Sequence, residues 1–247
     1  NYEVKENKPE LWMWGIDKEG KRILIIDRNF LSYFYLVLEE KENPKTIIEA
    51  IQSQKANYPF LVKLETVDKR FFGKPVKAIK VVAQNPDAIS KYSKDFKKLA
   101  GVKDCLEDDI RYSMRYLIDN NVVPCGWHEI EVTETEIKGV TADSVYLAKS
   151  FPKAIEKTEL PQLRILAISI IAYSPQGSPK PEKNPVIIIS TITTTGEEKQ
   201  FVAKNFDDKN VLDSFMKYVQ DFDPDIIAGY GTNRQDWPYL LARCKKL

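Results

Sequence analysis

His128, the chain's single histidine, stands between Trp127 and Glu129 with no second histidine to share a metal or relay a proton. An isolated imidazole of this kind is ordinarily a structural or surface group. Cys105, Cys125 and Cys244 are odd in number, far apart and lack a CxxC spacing. That pattern argues against a zinc site or a disulfide framework and fits a reducing cytoplasm. Asp236 precedes WPYLLAR, where a carboxylate reads as a helix N-cap. Cations are plentiful but local. Lys55, Lys63, Lys69, Arg70, Lys74, Lys77 and Lys80 share their stretch with only Glu65 and Asp68, and Lys91, Lys94, Lys97 and Lys98 follow. Such runs usually form a solvated face. Tyr58, Phe71, Phe72 and Tyr92 lie among them, the mixture of flat rings and positive charge that single-strand nucleic-acid binders use.

The elements that must position these groups fall into two patterns. With 247 residues, 43% hydrophobic and 30% charged, the chain can bury one large core or two modest ones. A net charge of +1 restricts any nucleic-acid surface to a patch. No apolar run reaches the roughly 18–20 residues of a membrane span, and NYEVKENKPE is no signal peptide. The missing initiator Met and the stop at ARCKKL suggest a piece of something larger.

Over about residues 1–125 short strands alternate with helices. LWMWGI and RILIID flank the turn DKEGK as a hairpin, YFYLVL follows, and Pro44 opens a helix to about Gln54. FLVKLETVDKRFF and PVKAIKVVAQ read as strands joined at Gly73-Lys74-Pro75. Asn85-Pro86-Asp87 turns into a helix, and Asp109 is placed to cap IRYSMRYLIDNN. This is a mixed α+β domain. Residues 126–161, rich in Thr, Glu and Lys, read as a connector with a hairpin of EIEVTE and VYLAKS.

From Leu163 the order is β-β-β-α-β-α. It comprises LRILAISIIAY, VIIISTITT, KQFVA, a helix through VLDSFMKYVQDF capped by Asp208, then DIIAGYG and WPYLLARCKKL. Three strands, a helix and a strand returning parallel to the first fit a ribonuclease-H-like α/β domain over 162–247. Nucleases of that shape place two Mg²⁺ ions about 3.5–4 Å apart, held by several converging carboxylates. Residues i and i+2 of a strand share a face, so an acid-x-acid pattern on the central strand supplies shared ligands.

DPDIIAGYGTNRQDWPYLLAR (223–243) is similar to the second exonuclease motif of archaeal family B DNA polymerases, D-P-D-hydrophobics-x-Y-N-x-x-x-F-D-x-P-Y-L. LRILAISIIAY resembles the first such motif, whose core is D-I-E, while RYLID and DRNFLSYFY resemble stretches of the same family's N-terminal domain. The resemblance implies a 3′–5′ exonuclease fold, incomplete at its C-terminus, behind a template-binding domain. Carried over by position, the motif's Asp falls on Ser169, its Glu on Ile171, its Asn on Gly231 and its aromatic on Gln235. Only Asp236 persists. The resemblance therefore implies a proofreading domain without a catalytic set, and no metal ligands within this stretch. Mg²⁺ is expected for the parent polymerase.

The same family captures template-strand uracil in an N-terminal pocket. Tyr2, Ser32 (where the family commonly has Pro), Tyr33, Pro86, Asp87, Ala88 and Ile89 match that pocket, and Arg115 matches an arginine near the strand path. Read by residue type alone, Tyr33 and Ile89 are core residues, Pro86 starts a helix and Arg115 pairs with a carboxylate. Uracil lacks thymine's methyl, so discrimination needs a tight floor plus hydrogen bonds to the base edge, which backbone groups of a Pro-containing turn can supply. Cytosine would leave a buried group unpaired, costing roughly 1–3 kcal/mol.

The reading is thus the N-terminal part of a cytoplasmic DNA-directed DNA polymerase. Its partners would be single-stranded template, primer–template DNA and the remaining polymerase domains of the same chain, with no membrane. Two alternatives differ in class. One is a non-catalytic single-stranded RNA or DNA binding scaffold; the other is a working exonuclease with unusual ligands.

Overall fold

The computed structural model describes residues 1–247 and separates into two units, Asn1–Pro161 and Gln162–Leu247. In the first unit, β1 (Tyr2–Lys5), β2 (Lys8–Ile16) and β3 (Arg22–Asp27) form an antiparallel meander. Asp17 fixes the β2–β3 turn by accepting from the backbone N–H of Glu19 and of Lys21. Then come β4 (Ser32–Leu38), α1 (Pro44–Ser53), β5 (Leu61–Phe71), β6 (Lys74–Ala83), α2 (Ile89–Phe96), β7 (Val102–Leu106) and α3 (Tyr112–Asp119). β5-β6-β4-β7 is a four-stranded antiparallel sheet. Alternate residues of β4, Phe34, Leu36 and Leu38, point into a core closed by Ile47 and Ile51 of α1 and by Tyr92 and Phe96 of α2. Asn43 caps α1 by accepting from Lys45 N–H, and Pro44 takes the first turn, where an N–H has no helical partner.

Three local readings change. The β5–β6 loop is Phe72-Gly73, both with left-handed φ (49° and 80°), as a type I′ turn requires; Lys74 and Pro75 already belong to β6. The helix read as capped by Asp109 starts at Tyr112 with Arg111 at its N-cap. β7, five residues of VKDCL, adds an edge strand that the sequence pattern does not announce.

Residues 126–161 contain β8 (His128–Glu129), β9 (Val132–Thr135), β10 (Ser144–Ala148) and β11 (Lys153–Ala154). β9 and β10 form the hairpin read from EIEVTE and VYLAKS, but β10 also pairs parallel with β3. The segment therefore completes the five-stranded sheet β1-β2-β3-β10-β9 of the first unit rather than standing apart as a connector.

The second unit has β12 (Ile165–Ala172), β13 (Val186–Thr193), β14 (Glu198–Val202), α4 (Lys209–Phe222), β15 (Ile226–Ala228) and α5 (Asp236–Lys246). Its sheet order is β14-β13-β12-β15, antiparallel except for β15, which returns parallel to β12. This is the ribonuclease-H-like arrangement. Leu166 and Ile168 of β12 meet Val211, Leu212 and Phe215 of α4 and Leu240 of α5 in its core. Met216, next to the buried Phe215, is 44% exposed. Asp208 precedes α4 but does not cap it. Its carboxylate accepts from Arg243 Nε (2.8 Å) and Nη2 (2.6 Å) and from Val186 N–H (2.9 Å). No helix is long and apolar enough to cross a membrane.

Candidate functional site

In the second unit the alternation of β12 sends Leu166 and Ile168 inward and leaves Ser169 and Ile171 on the opposite, exposed face. Gly229, just after β15, brings the following turn against β12. A Cβ there would lie 2.5 Å from the Ile168 carbonyl and 2.1 Å from Thr232 Oγ1. That approach places the start of α5 beside the strand that carries Ser169. Asp236 is the first helical residue, after Gln235 at the N-cap, and accepts a long hydrogen bond from Thr232 Oγ1 (3.4 Å). Gly231 holds a left-handed φ of 74° and offers no side chain.

The topology thus brings together the strand and helix start that a two-metal nuclease uses, but not the donors. A hydroxyl, a branched alkyl group and one carboxylate do not provide the oxygens a pair of Mg²⁺ ions needs. Nowhere in the chain do three or more His, Cys, Asp or Glu side chains converge as metal ligands.

In the first unit the sequence-matched residues converge. Tyr2, Ser32, Tyr33, Pro86, Asp87, Ile89 and Arg115 all line one cavity of about 340 Å³. Ala88 does not; it packs against the core cluster under α2. Each wall has a cause. Tyr33 lies on the face of β4 opposite the core residues Phe34 and Leu36, and its hydroxyl donates to Asp119 Oδ2 at 2.7 Å. The Arg115 guanidinium stacks 4.2 Å over the Tyr33 ring, with Lys80 Nζ 3.8 Å from the ring centre. Arg115 is itself buried and donates to Glu107 Oε2 (2.5 Å) and the Glu107 carbonyl (2.9 Å). Burial, with Asp119 as acceptor, pushes the Tyr33 phenol well above its ordinary pKa, so the ring stays neutral.

Tyr2 packs edge-on against Tyr112 at 5.2 Å and its hydroxyl donates to Asp87 Oδ1 at 3.3 Å. Tyr112 in turn donates to the Phe30 carbonyl at 2.5 Å. Ser32 is buried, and its hydroxyl donates to the Ala83 carbonyl across the β4–β6 ladder at 2.9 Å. The Asn85-Pro86-Asp87 turn is rigid for a specific reason. Asn85 Oδ1 accepts from Asp87 N–H (2.9 Å), its carbonyl accepts from Ala88 N–H (3.2 Å), and Ile89 N–H donates to the Pro86 carbonyl. The turn's N–H groups are therefore used internally, contrary to the expectation that they would face a base. The Ser90 hydroxyl and the second lone pairs of the turn carbonyls remain as polar groups at hand, since the Tyr2 proton is already given to Asp87.

Sequence reasoning missed Ser90, and it missed the loop from Asp108 to Tyr112 that forms the opposite wall. With Asp87, Asp108 and Asp109 against Arg111 and an already paired Arg115, the lining is no phosphate cradle. It suits an uncharged, flat, hydrogen-bonding ring.

Comparison with known proteins agrees with the fold. Residues 103–247 match the family described as DNA polymerase family B, exonuclease domain. The chain is 32% identical to DNA polymerase 2 of Aeropyrum pernix, over 100% of this chain and 31% of that protein. It is 32% identical to DNA polymerase 3 of Saccharolobus shibatae, over 100% of this chain and 32% of that protein. The family B DNA polymerase of Pyrobaculum calidifontis superposes with a TM-score of 0.88 at 36% identity, over 100% of this chain and 31% of that one. The chain thus spans about a third of the length of the relatives it matches.

Proposed function

The chain belongs to the family B DNA polymerases, and from that premise we propose that it is the template-holding part of a DNA-directed DNA polymerase, with a pocket that senses uracil and an exonuclease-like unit that does not hydrolyse DNA. Nucleotidyl transfer with Mg²⁺ belongs, on this reading, to the remaining domains of the parent chain, which meet primer–template DNA. Its compartment is the reducing cytoplasm, in keeping with three free cysteines.

The observation that carries the reading is the single cavity shared by Tyr2, Ser32, Tyr33, Pro86, Asp87, Ile89 and Arg115. An unpaired base enters with little unstacking cost. Turn carbonyls accept from the uracil ring N–H, the hydroxyl of Ser90 donates to a carbonyl oxygen, and Tyr33 and Ile89 set the depth that a thymine methyl exceeds.

The test is a fluorescence-anisotropy titration with two single-stranded DNA oligonucleotides differing by one uracil in place of one thymine. Uracil is expected to bind tenfold tighter, about 1.4 kcal/mol. Tyr33→Ala is expected to erase the preference and Tyr33→Phe to keep it. Equal affinity of the unsubstituted chain for both strands would sink the pocket reading.

The second unit is expected to leave single-stranded DNA intact in Mg²⁺ or Mn²⁺, read on a sequencing gel. Shortening that disappears in Asp236→Ala would overturn the assignment and restore a working exonuclease.

A further inference from the structure

The β5–β6 hairpin reaches beyond its sheet, and the uracil pocket makes no use of its end. β4 stops pairing with β6 at Val37↔Ala78, while β5 and β6 continue through Asp68↔Lys77, Lys69↔Val76, Arg70↔Pro75 and Phe71↔Lys74. Four further pairs, at ~3.3 Å per residue, make a two-stranded ribbon about 13 Å long. Lys69, Arg70, Lys74 and Lys77 lie on it against a single acid, Asp68, which stands across the ladder from Lys77. Lys69 is occupied over the Tyr35 ring at 4.6 Å, but Arg70, Lys74 and Lys77 are exposed and form no ion pair.

At the tip stands Phe72, 89% exposed, supported edge-on by Phe71 at 4.6 Å. Its φ of 49° is a position that type I′ turns normally give to Asn, Asp or Gly. A large apolar ring held out in water on unfavourable backbone does nothing for the fold, since it covers no core. Together the features form a flat, desolvatable ring flanked by unpaired cations, which matches the chemistry of an unpaired base between phosphates.

We propose that this hairpin tip is a contact for single-stranded DNA separate from the uracil pocket, with a base stacked on Phe72 and the neighbouring phosphates met by Arg70, Lys74 and Lys77. The site has no base-edge readout, so it holds any sequence.

The probe is a short thymine-only DNA oligonucleotide, which leaves the pocket out of the measurement, titrated against the full 247-residue chain over a salt series. Phe72→Asn places the preferred Asn-Gly pair in the turn, so its melting temperature should equal or exceed that of the unsubstituted chain. Its affinity should nevertheless fall about fivefold or more. The triple variant R70A/K74A/K77A should flatten the slope of log K against log salt by roughly 2, at about 0.7 for each phosphate left without its cation. Unchanged affinity in Phe72→Asn, or an unchanged slope in the triple variant, overturns the proposal. Tighter binding of an RNA oligomer of equal length would overturn DNA as the occupant. None of these outcomes touches the uracil preference, which is read with a different strand pair.

Discussion

Replacing Arg243 with alanine is expected to destabilise the C-terminal unit by about 3–5 kcal/mol, the usual cost of stranding one partner of a buried ion pair. The side chains of Arg243 and Asp208 are only 6% and 3% exposed, and they meet through two parallel hydrogen bonds. Arg243 also donates to the Pro181 carbonyl at 3.0 Å, and Asp208 accepts from Val186 N–H. One pair thus ties α5 to the start of α4, the loop before β13 and β13 itself. Removing the guanidinium leaves a carboxylate in the interior with a single backbone donor. Thermal or urea unfolding followed by hydrogen exchange should show the loss confined to amides of residues 162–247, because the two units have separate cores.

The pH dependence of this effect has a definite sign. Burial alone would raise the Asp208 pKa, but the Arg243 hydrogen bonds outweigh it and hold the carboxyl below its ordinary value. Its contribution is therefore complete above the unfolded-state pKa of about 3.9 and disappears as pH falls through the lower folded value. In Arg243→Ala burial is left largely unopposed and the pKa rises. The stability gap between the two proteins should be widest near neutrality and narrow as pH falls. It narrows first through the raised carboxyl pKa of Arg243→Ala and then, below about 4, as the unsubstituted chain loses its own contribution. A gap that widened in acid would refute the assignment.

Phe96→Ala is expected to cost the N-terminal unit about 3–5 kcal/mol, as for other fully buried aromatics. Phe96 is 1% exposed and lies in ring contact with Tyr58 (4.6 Å), Tyr92 (5.9 Å) and Phe34 (6.3 Å). The resulting cavity would lie between α2 and β4, the two elements that carry Ile89 and Tyr33 into the pocket. Tyr92, whose hydroxyl accepts from Phe60 N–H at 3.0 Å, would lose its packing partner. Urea denaturation should show a lower midpoint with exchange loss confined to residues 1–161, and the C-terminal core should be untouched. A change under about 1 kcal/mol would mean that neighbouring rings collapse into the space.

Local chemistry made much of this architecture readable. DKEGK announced the first hairpin, Pro44 the first helix, and the β-branched runs at 165–172 and 186–193 the central strands of the second sheet. Features set by distant partners were not readable. Asp208 has the position and residue type of a cap, but a guanidinium thirty-five residues away claims its oxygens. Asp109 likewise resembles a cap, yet the backbone turns helical only at Tyr112 and leaves Asp109 on a cavity wall. The pocket illustrates the same division. By type Tyr33 would pass for a core residue and Arg115 for the partner of a carboxylate, which it is through Glu107; only the family's ordered motifs marked them as pocket lining. The Asp108–Tyr112 wall carried no local signal, because it becomes a wall only when α3 packs beside β4.

The parallel pairing of β10 with β3 fixes the order in which the first unit can be completed as it leaves the ribosome. Arg22 and Asp143, which exchange hydrogen bonds at the start of that pairing, are 121 residues apart. At roughly 5–20 residues per second, synthesis supplies β10 on the order of ten seconds after β3. Through that interval the meander of β1, β2 and β3 has an open edge on β3, a template for any other extended chain. The four-stranded sheet, built from nearer neighbours, can close first. Folding of this unit should therefore be slowest at the β3–β10 seam, and there a crowded nascent chain is most exposed to mispairing.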